Sequence, residues 1–306
     1  MFRFLLGSKL LVVMLAGAAE LEIATSVAFT EGPTVDATDN VYFTETTFHR
    51  IMRLGKDGEL TVFRENSNGA NGLVIDTKGQ LWICEGGNKK AGGRPRVSTV
   101  DLKTGAYKVR ADNFQGVPLN QPNDITMDSK GRMYFTDFPG ANPVGVYRID
   151  PDGSLSRLVA APQIEKPNGV MISPDDKTLY LVEASQVEGG ARMIRAYDLQ
   201  ADGSLKNMRV FHNFYPGRSA DGLCVDSRGN LYAAAGLHRR RGTSETLDTK
   251  TGIHVFSPAG KLLSFTAVPE DTITNCAFGG PGMKTLYITA SKTLFKLQND
   301  IPGTNR

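Results

Sequence analysis

The chain has 306 residues, 40% of them apolar and 22% charged, a balance that excludes both a disordered chain and a polytopic membrane protein. Its 35 Lys and Arg against 32 Asp and Glu leave a net charge of +3, which calls for neither nucleic acid nor an anionic membrane surface as partner. With 33 glycines and 15 prolines, the composition favours many turns over long helices.

At the N-terminus, Arg3 and Lys9 are the only charges before Glu20, residues 10–19 form a short apolar run, and Ala16-Gly17-Ala18 supplies a small-residue cleavage pattern. This predicts a secretory signal peptide over residues 1–18, since the run falls short of the roughly 20 residues a spanning helix needs. An uncleaved anchor is the alternative. The mature chain, residues 19–306, is then expected to be secreted or periplasmic and free of the membrane.

Beyond that segment, six stretches repeat one shape: an oxygen-bearing residue, an apolar run, a turn, then an apolar run with an aromatic residue. They read EGPTVDATDNVYFTE from Glu31, NGLVIDTKGQLWICEG from Asn71, NDITMDSKGRMYFTD from Asn123, NGVMISPDDKTLYLVEA from Asn168, DGLCVDSRGNLYAAAG from Asp221 and NCAFGGPGMKTLYITA from Asn275. Their spacings are 40, 52, 45, 53 and 54 residues. Periods of this size, with several short strands per unit, are the mark of a β-propeller. Each of the first five units continues into a second strand pair around a glycine turn, as in RIMRLGKDGELTVF and GVYRIDPDGSLSRLV, a strong hairpin signal. Each unit therefore reads as four antiparallel strands, A to D, forming one blade.

The sixth unit stops after TLFKLQ at residues 293–298 and lacks a fourth strand. Residues 20–29, ELEIATSVAF, precede the first A strand and can supply it, which closes the ring and removes an exposed sheet edge. The expected fold is all-β: a single six-bladed β-propeller of four-stranded antiparallel blades, closed by the N-terminal strand. The A–B and C–D turns are tight and share one face. The D–A and B–C loops are long and share the other, where binding sites usually lie.

Cys84, Cys224 and Cys276 each sit in an apolar run and are expected to be three buried thiols, one bridge plus a free thiol being the alternative. Trp82 and the Tyr residues at 42, 134, 180, 232 and 287 recur at the blade period and read as core packing.

The six residues that open the A strands, Glu31, Asn71, Asn123, Asn168, Asp221 and Asn275, converge on the ring axis at the loop-rich face. Asn and Asp before Gly are ordinary turn residues one at a time. Six oxygen donors in register, two of them acids, instead suit one hard divalent cation, with Ca²⁺ foremost and Zn²⁺, Mg²⁺ or Mn²⁺ as alternatives. Neither a GxSxG elbow, an HExxH helix, a P-loop nor a dinucleotide-binding GxGxxG is present, which disfavours serine hydrolase, zincin, nucleotide and NAD chemistry.

On FTEGP, LNQPNDITMDSKGRMYFTD, KPNGV and SADGLCVD, the chain resembles the family of senescence marker protein (regucalcin) and the bacterial gluconolactonases, metal-dependent lactone hydrolases on six-bladed propellers. The resemblance spans essentially the whole mature chain. It implies metal ligands at Glu31, Asn123, Asn168 and Asp221, a general-base or nucleophilic role for Asp221, and a substrate contact at Asn123. It implies a small lactone or ester substrate, with the cation polarising the carbonyl. Animal members carry Arg where this chain has Gln121, so that contact is not transferred as an arginine contact. Gln121 and Asn71 are candidate substrate-binding residues, and so is His238, which heads the basic stretch at 238–241 on a site-face loop.

Calcium-dependent organophosphate hydrolases resemble the same site, and a non-catalytic propeller with a structural calcium is the reading outside enzymology. The acids ending strand B, Glu45, Glu85, Asp137 and Glu183, are expected to be solvated where the chain leaves the sheet, with a supporting layer behind the ion as the alternative. Nothing in the sequence points to an obligate protein partner or to nucleic acid.

Overall fold

The computed structural model describes residues 20–142 and 144–304. The expected signal peptide therefore lies outside the described residues. Six four-stranded antiparallel sheets form the blades of a propeller. Their A strands are Thr30–Val35, Ala70–Ile75, Pro122–Met127, Pro167–Ile172, Ala220–Val225 and Ile273–Gly279. Each packs against the A strands on either side, which sets them in a ring around the axis.

In blades 1 to 5 the chain runs A-B-C-D outward. Blade 6 has A, B (Thr285–Ala290) and C (Thr293–Gln298), and its fourth strand is Glu22–Ser26 from the other end of the chain. That strand pairs antiparallel with C, Glu22 opposite Lys296 and Ser26 opposite Thr293. Val27 N–H adds a bond to Lys292 C=O at 2.7 Å, so the ring closes as expected.

Strand alternation places apolar side chains between blades, where they form inter-blade clusters rather than one central core. Trp82 and Cys84 of blade 2 meet Phe135 and Ile149 of blade 3, and Tyr232 and Val255 of blade 5 meet Ile288 and Phe295 of blade 6. Each such fully buried side chain contributes about 1.5–3 kcal/mol relative to exposure.

The repeated aromatic residue of strand B packs there, and in four blades it also makes a hydrogen bond. The hydroxyls of Tyr42, Tyr134 and Tyr232 and the indole N–H of Trp82 donate to Asp36, Asp128, Asp226 and Asp76 respectively. The same carboxylates accept backbone N–H groups of their own A–B turns, for example Lys130 and Arg132 on Asp128. In blades 1, 2, 3 and 5 one Asp thus fixes the tight turn and satisfies the aromatic polar group.

Candidate functional site

The pairing of strand A with strand B slips near the start of strand A in every blade, at the same place in blades 2 to 5. Register slips between Pro122 and Ile125, between Pro167 and Val170, between Ala70 and Leu73, and between Ala220 and Leu223. Blades 1 and 6 slip between Glu31 and Thr34 and between Ile273 and Asn275. The residues left out of register include Asn71, Asn123, Asn168 and Asp221. A bulge of this kind re-aims side chains and is common beside functional sites. Here it frees Asn71, Asn123, Asn168 and Asp221 from the ladder in blades 2 to 5, whereas Glu31 and Asn275 stay paired with Thr44 and Thr289 beside the slip.

The freed backbone groups are met by threonines of strand B. Thr136 Oγ1 accepts from Asp124 N–H at 3.1 Å and donates to Asn168 C=O of the next blade at 2.6 Å. Thr44 does the same for Asn71 C=O at 3.0 Å. Close approach of the strands also requires glycine. A Cβ on Gly169 would sit 2.2 Å from Asp221 C=O, and Gly32, at φ +41°, lies against Asn71 C=O.

Convergence is direct: Asn275 Nδ2 of blade 6 reaches Asp124 Oδ1 of blade 3 across the axis at 3.4 Å. Glu31 and Asp124, both buried, and the partly buried Asp221 influence one another electrostatically. Burial, reinforced by the charges of Asp221 and Asp124, holds the Glu31 carboxyl well above the usual range. Burial pushes Asp124 up to about 7, against hydrogen bonds from Val170 and Ile125 N–H and with the Asp221 charge adding to the rise. Burial also raises Asp221, although Arg218 and the Asn168 side chain both favour its charged form.

Of the residues expected at the site, Glu31, Asn168 and Asp221 are brought together through these interactions. Asn71 and Asn123 open their strands at the equivalent bulges and are half-buried. Gln121 precedes strand A of blade 3, its N–H donating to Asp137 at 2.7 Å. His238 is exposed and tied to the rim: its ring Nε2 lies 2.8 Å from Val268 C=O, and its N–H donates to Asp271 at 3.0 Å. From the same stretch, Arg241 pairs with Asp271 at 3.6 Å.

The four acids ending strand B are not solvated, contrary to expectation; all are 0–1% exposed. They hold the chain leading into or out of the site. Asp137 accepts N–H groups of Asn120 and Gln121, just ahead of Asn123, and Glu183 accepts those of Glu165 and Lys166, just ahead of Asn168. Glu45 binds Thr47 and Phe48 N–H, and Glu85 is met by Asn68, Arg96 and Ser98. The buried Asp137 rises to about 6 through desolvation, opposed by these bonds.

Two site residues escaped the sequence reading. Asp124 directly follows Asn123, and strict alternation sends it to the opposite face of the strand. Arg218 precedes Asp221 by three residues, and its Nη2 donates to Asp221 Oδ2 at 2.7 Å. Its Nη1 is held by Gly236 and Ile273 C=O at 3.2 and 3.0 Å, so the guanidinium is fixed. A basic residue one turn ahead of the DG pair was the available signal.

Among the described residues no three or more His, Cys, Asp and Glu side chains form a metal-holding group. Amides make up half of the expected ligands, Asp124 is turned onto backbone N–H groups, and one oxygen of Asp221 is taken by Arg218. The chemistry of the set nevertheless fits: oxygen donors alone, and buried like-charged carboxylates whose mutual repulsion a cation relieves.

Residues 29–292 match the protein family described as the SMP-30/Gluconolactonase/LRE-like region. A gluconolactonase from Zymomonas mobilis is 26% identical over 92% of this chain and 81% of its own length. A regucalcin from Danio rerio is 29% identical over 57% of this chain and 55% of its own. The solved structure of a gluconolactonase from Xanthomonas campestris, 27% identical, superposes with a TM-score of 0.78 over 94% of this chain and 90% of the other.

Proposed function

The chain belongs to the SMP-30/gluconolactonase/LRE-like family, and from that premise we propose that it is a cation-dependent hydrolase that opens a sugar lactone. The observation that carries this is the axial cluster of Glu31, Asn168 and Asp124, all buried, with the partly buried Asp221, a set rich in carboxylates and amide oxygens. Glu31, Asn123, Asn168 and Asp221 would hold the cation, calcium being the ion best matched by carboxylate and amide oxygens. When bound, it supplies Lewis-acid polarisation of the lactone carbonyl.

Asp221 accepts the proton of the attacking water. Arg218, the Asn168 side chain and the cation itself all favour its charged form, so the carboxylate is ionised and able to accept that proton. Arg218 fixes the carboxylate by binding Oδ2, which directs the other oxygen to the reaction. Asn71, Gln121 and Asn123, half-buried around the opening, bind the sugar hydroxyls. Export of the chain by its N-terminal segment belongs to the same reading, and sequencing the N-terminus of protein from the native host tests it: a start near Ala19 or Glu20 is expected.

The deciding experiment is a proton-release assay on purified protein with a panel of sugar lactones, simple esters and a fluorophosphate. Each is run with Ca²⁺, Mg²⁺, Mn²⁺ or Zn²⁺ after chelation. Lactone opening restored by one of these ions is expected. No hydrolysis with any ion, together with a lower melting temperature on chelation, would establish a structural calcium in a binding propeller instead.

A further inference from the structure

Cys224 and Cys276 stand apart from Cys84 in one respect. All three are buried thiols, as expected. Yet the sulfurs of Cys224 and Cys276 lie 3.1 Å apart, on the neighbouring A strands of blades 5 and 6. Those strands belong to different sheets and share no ladder. Both cysteines line a cavity of about 830 Å³ that runs along the axis toward the A–B turn face, where the exposed Ala37 and Thr38 border it. Cys84 does not line it.

We propose that Cys224 and Cys276 form a disulfide under oxidising conditions, a covalent staple between the inner strands of blades 5 and 6. The sulfurs need only about 1 Å of approach to reach bonding distance. The axial cavity gives a small oxidant a route to both. The oxidant is a small-molecule disulfide. One cysteine thiolate attacks one of its sulfurs and releases the first thiol. The second cysteine thiolate then attacks the mixed disulfide and releases the other thiol. One S–S bond forms in the protein, the oxidant's S–S bond is reduced, and the two cysteine protons end on the two released thiols. Burial raises the Cys224 thiol well above its usual range, and both sulfurs are buried from bulk solvent, so exchange on the folded protein is slow. The bond would close a 52-residue loop, and it would lie next to the site, three residues after Asp221 and one after Asn275. The inference holds whether or not the chain is exported.

The test incubates the folded protein with bis(2-hydroxyethyl) disulfide, then counts free thiols by maleimide mass tagging in denaturant. The expected result is one tag, on Cys84, and a peptide pair joined through Cys224 and Cys276, with three tags after dithiothreitol. The melting midpoint should rise by on the order of 5–10 °C on closure. Cys84→Ala should behave as the wild type does, while Cys276→Ala should lose the joined peptide and the shift. Protein made in an oxidising cell compartment, where the bond can form as the chain folds, removes the question of access. Three tags in both preparations, a bridge that uses Cys84, stable hydroxyethyl adducts instead of a bridge, or closure that lowers the midpoint would each overturn the proposal.

Discussion

Asp221 and Glu31 are the two acids expected to bind the cation, and their surroundings separate their roles. Asp221 is gripped by Arg218 and Asn168, while Glu31 accepts Gly32 N–H at 3.3 Å. Asp221→Asn removes a charge and the proton acceptor, whereas Glu31→Gln removes a charge alone. Both should weaken calcium binding comparably. At saturating calcium, Glu31→Gln should recover substantially. Asp221→Asn should remain about 10²–10⁴-fold slower than wild type, the usual contribution of a general base. Equal recovery in lactone turnover would make Asp221 a ligand only.

The neighbouring acid gives a pH signature in the metal-free protein. Asp124 is raised from 3.8 to about 7 by burial. A carboxyl with a raised folded-state pKa contributes stability that is complete below its unfolded pKa and is lost as pH rises through the folded value. The window is therefore about pH 4 to 7. Other acids in the chain titrate in the opposite sense, so the informative quantity is wild type minus Asp124→Asn. That difference in melting temperature should fall with pH across the window in chelated protein. Saturating calcium should flatten it. A difference independent of pH would show that Asp124 stays ionised in the folded chain.

At the level of the strand, the bulges explain what was readable and what was not. Glu31, Asn168 and Asp221 were found because each opens an A strand in a visible repeat. Asp124 was missed because the reading assumed period-two alternation, and a bulge sends consecutive residues toward the same axis. Nothing in a single repeat announces the slip, which depends on Thr136 in the partner strand and on glycines that admit the next blade. The acids at the ends of strand B were visible as a pattern, but their role was not, since Glu45, Asp137 and Glu183 hold backbone N–H groups of the B–C and D–A loops and Glu85 gathers side chains distant in sequence. Thr136→Val keeps the shape and removes the hydroxyl, leaving Asp124 N–H and Asn168 C=O without it. A buried unsatisfied group costs about 1–3 kcal/mol, so chemical denaturation should show a loss of that size. Lactone turnover should fall too, because the bulges of blades 3 and 4 carry Asn123 and Asn168. A variant of unchanged stability would show that another group replaces the hydroxyl.

For the whole molecule, the decisive bond pattern is the one that joins the two ends of the chain. Glu22–Ser26 completes blade 6, Leu21 packs against the cluster between blades 5 and 6, and Ala24 and Val27 pack against that of blade 1. Without this strand, Thr293–Gln298 becomes an open edge whose N–H and C=O groups can pair with another chain. A chain beginning at residue 19 keeps the strand, and one beginning at Val27 loses it. The first should melt with the full-length protein. The second forfeits several ladder bonds worth about 1 kcal/mol each, along with the packing of Leu21 and Ala24, and should melt lower by on the order of 10 °C. It should also form higher oligomers in light scattering, because the exposed edge recruits a partner strand. Adding the missing segment as a separate peptide, residues 19–28, should restore the midpoint in proportion to its concentration, since a ligand of the folded state stabilises by mass action. A shortened chain that stays monomeric and melts unchanged would mean that five blades and a three-stranded sixth hold the ring on their own.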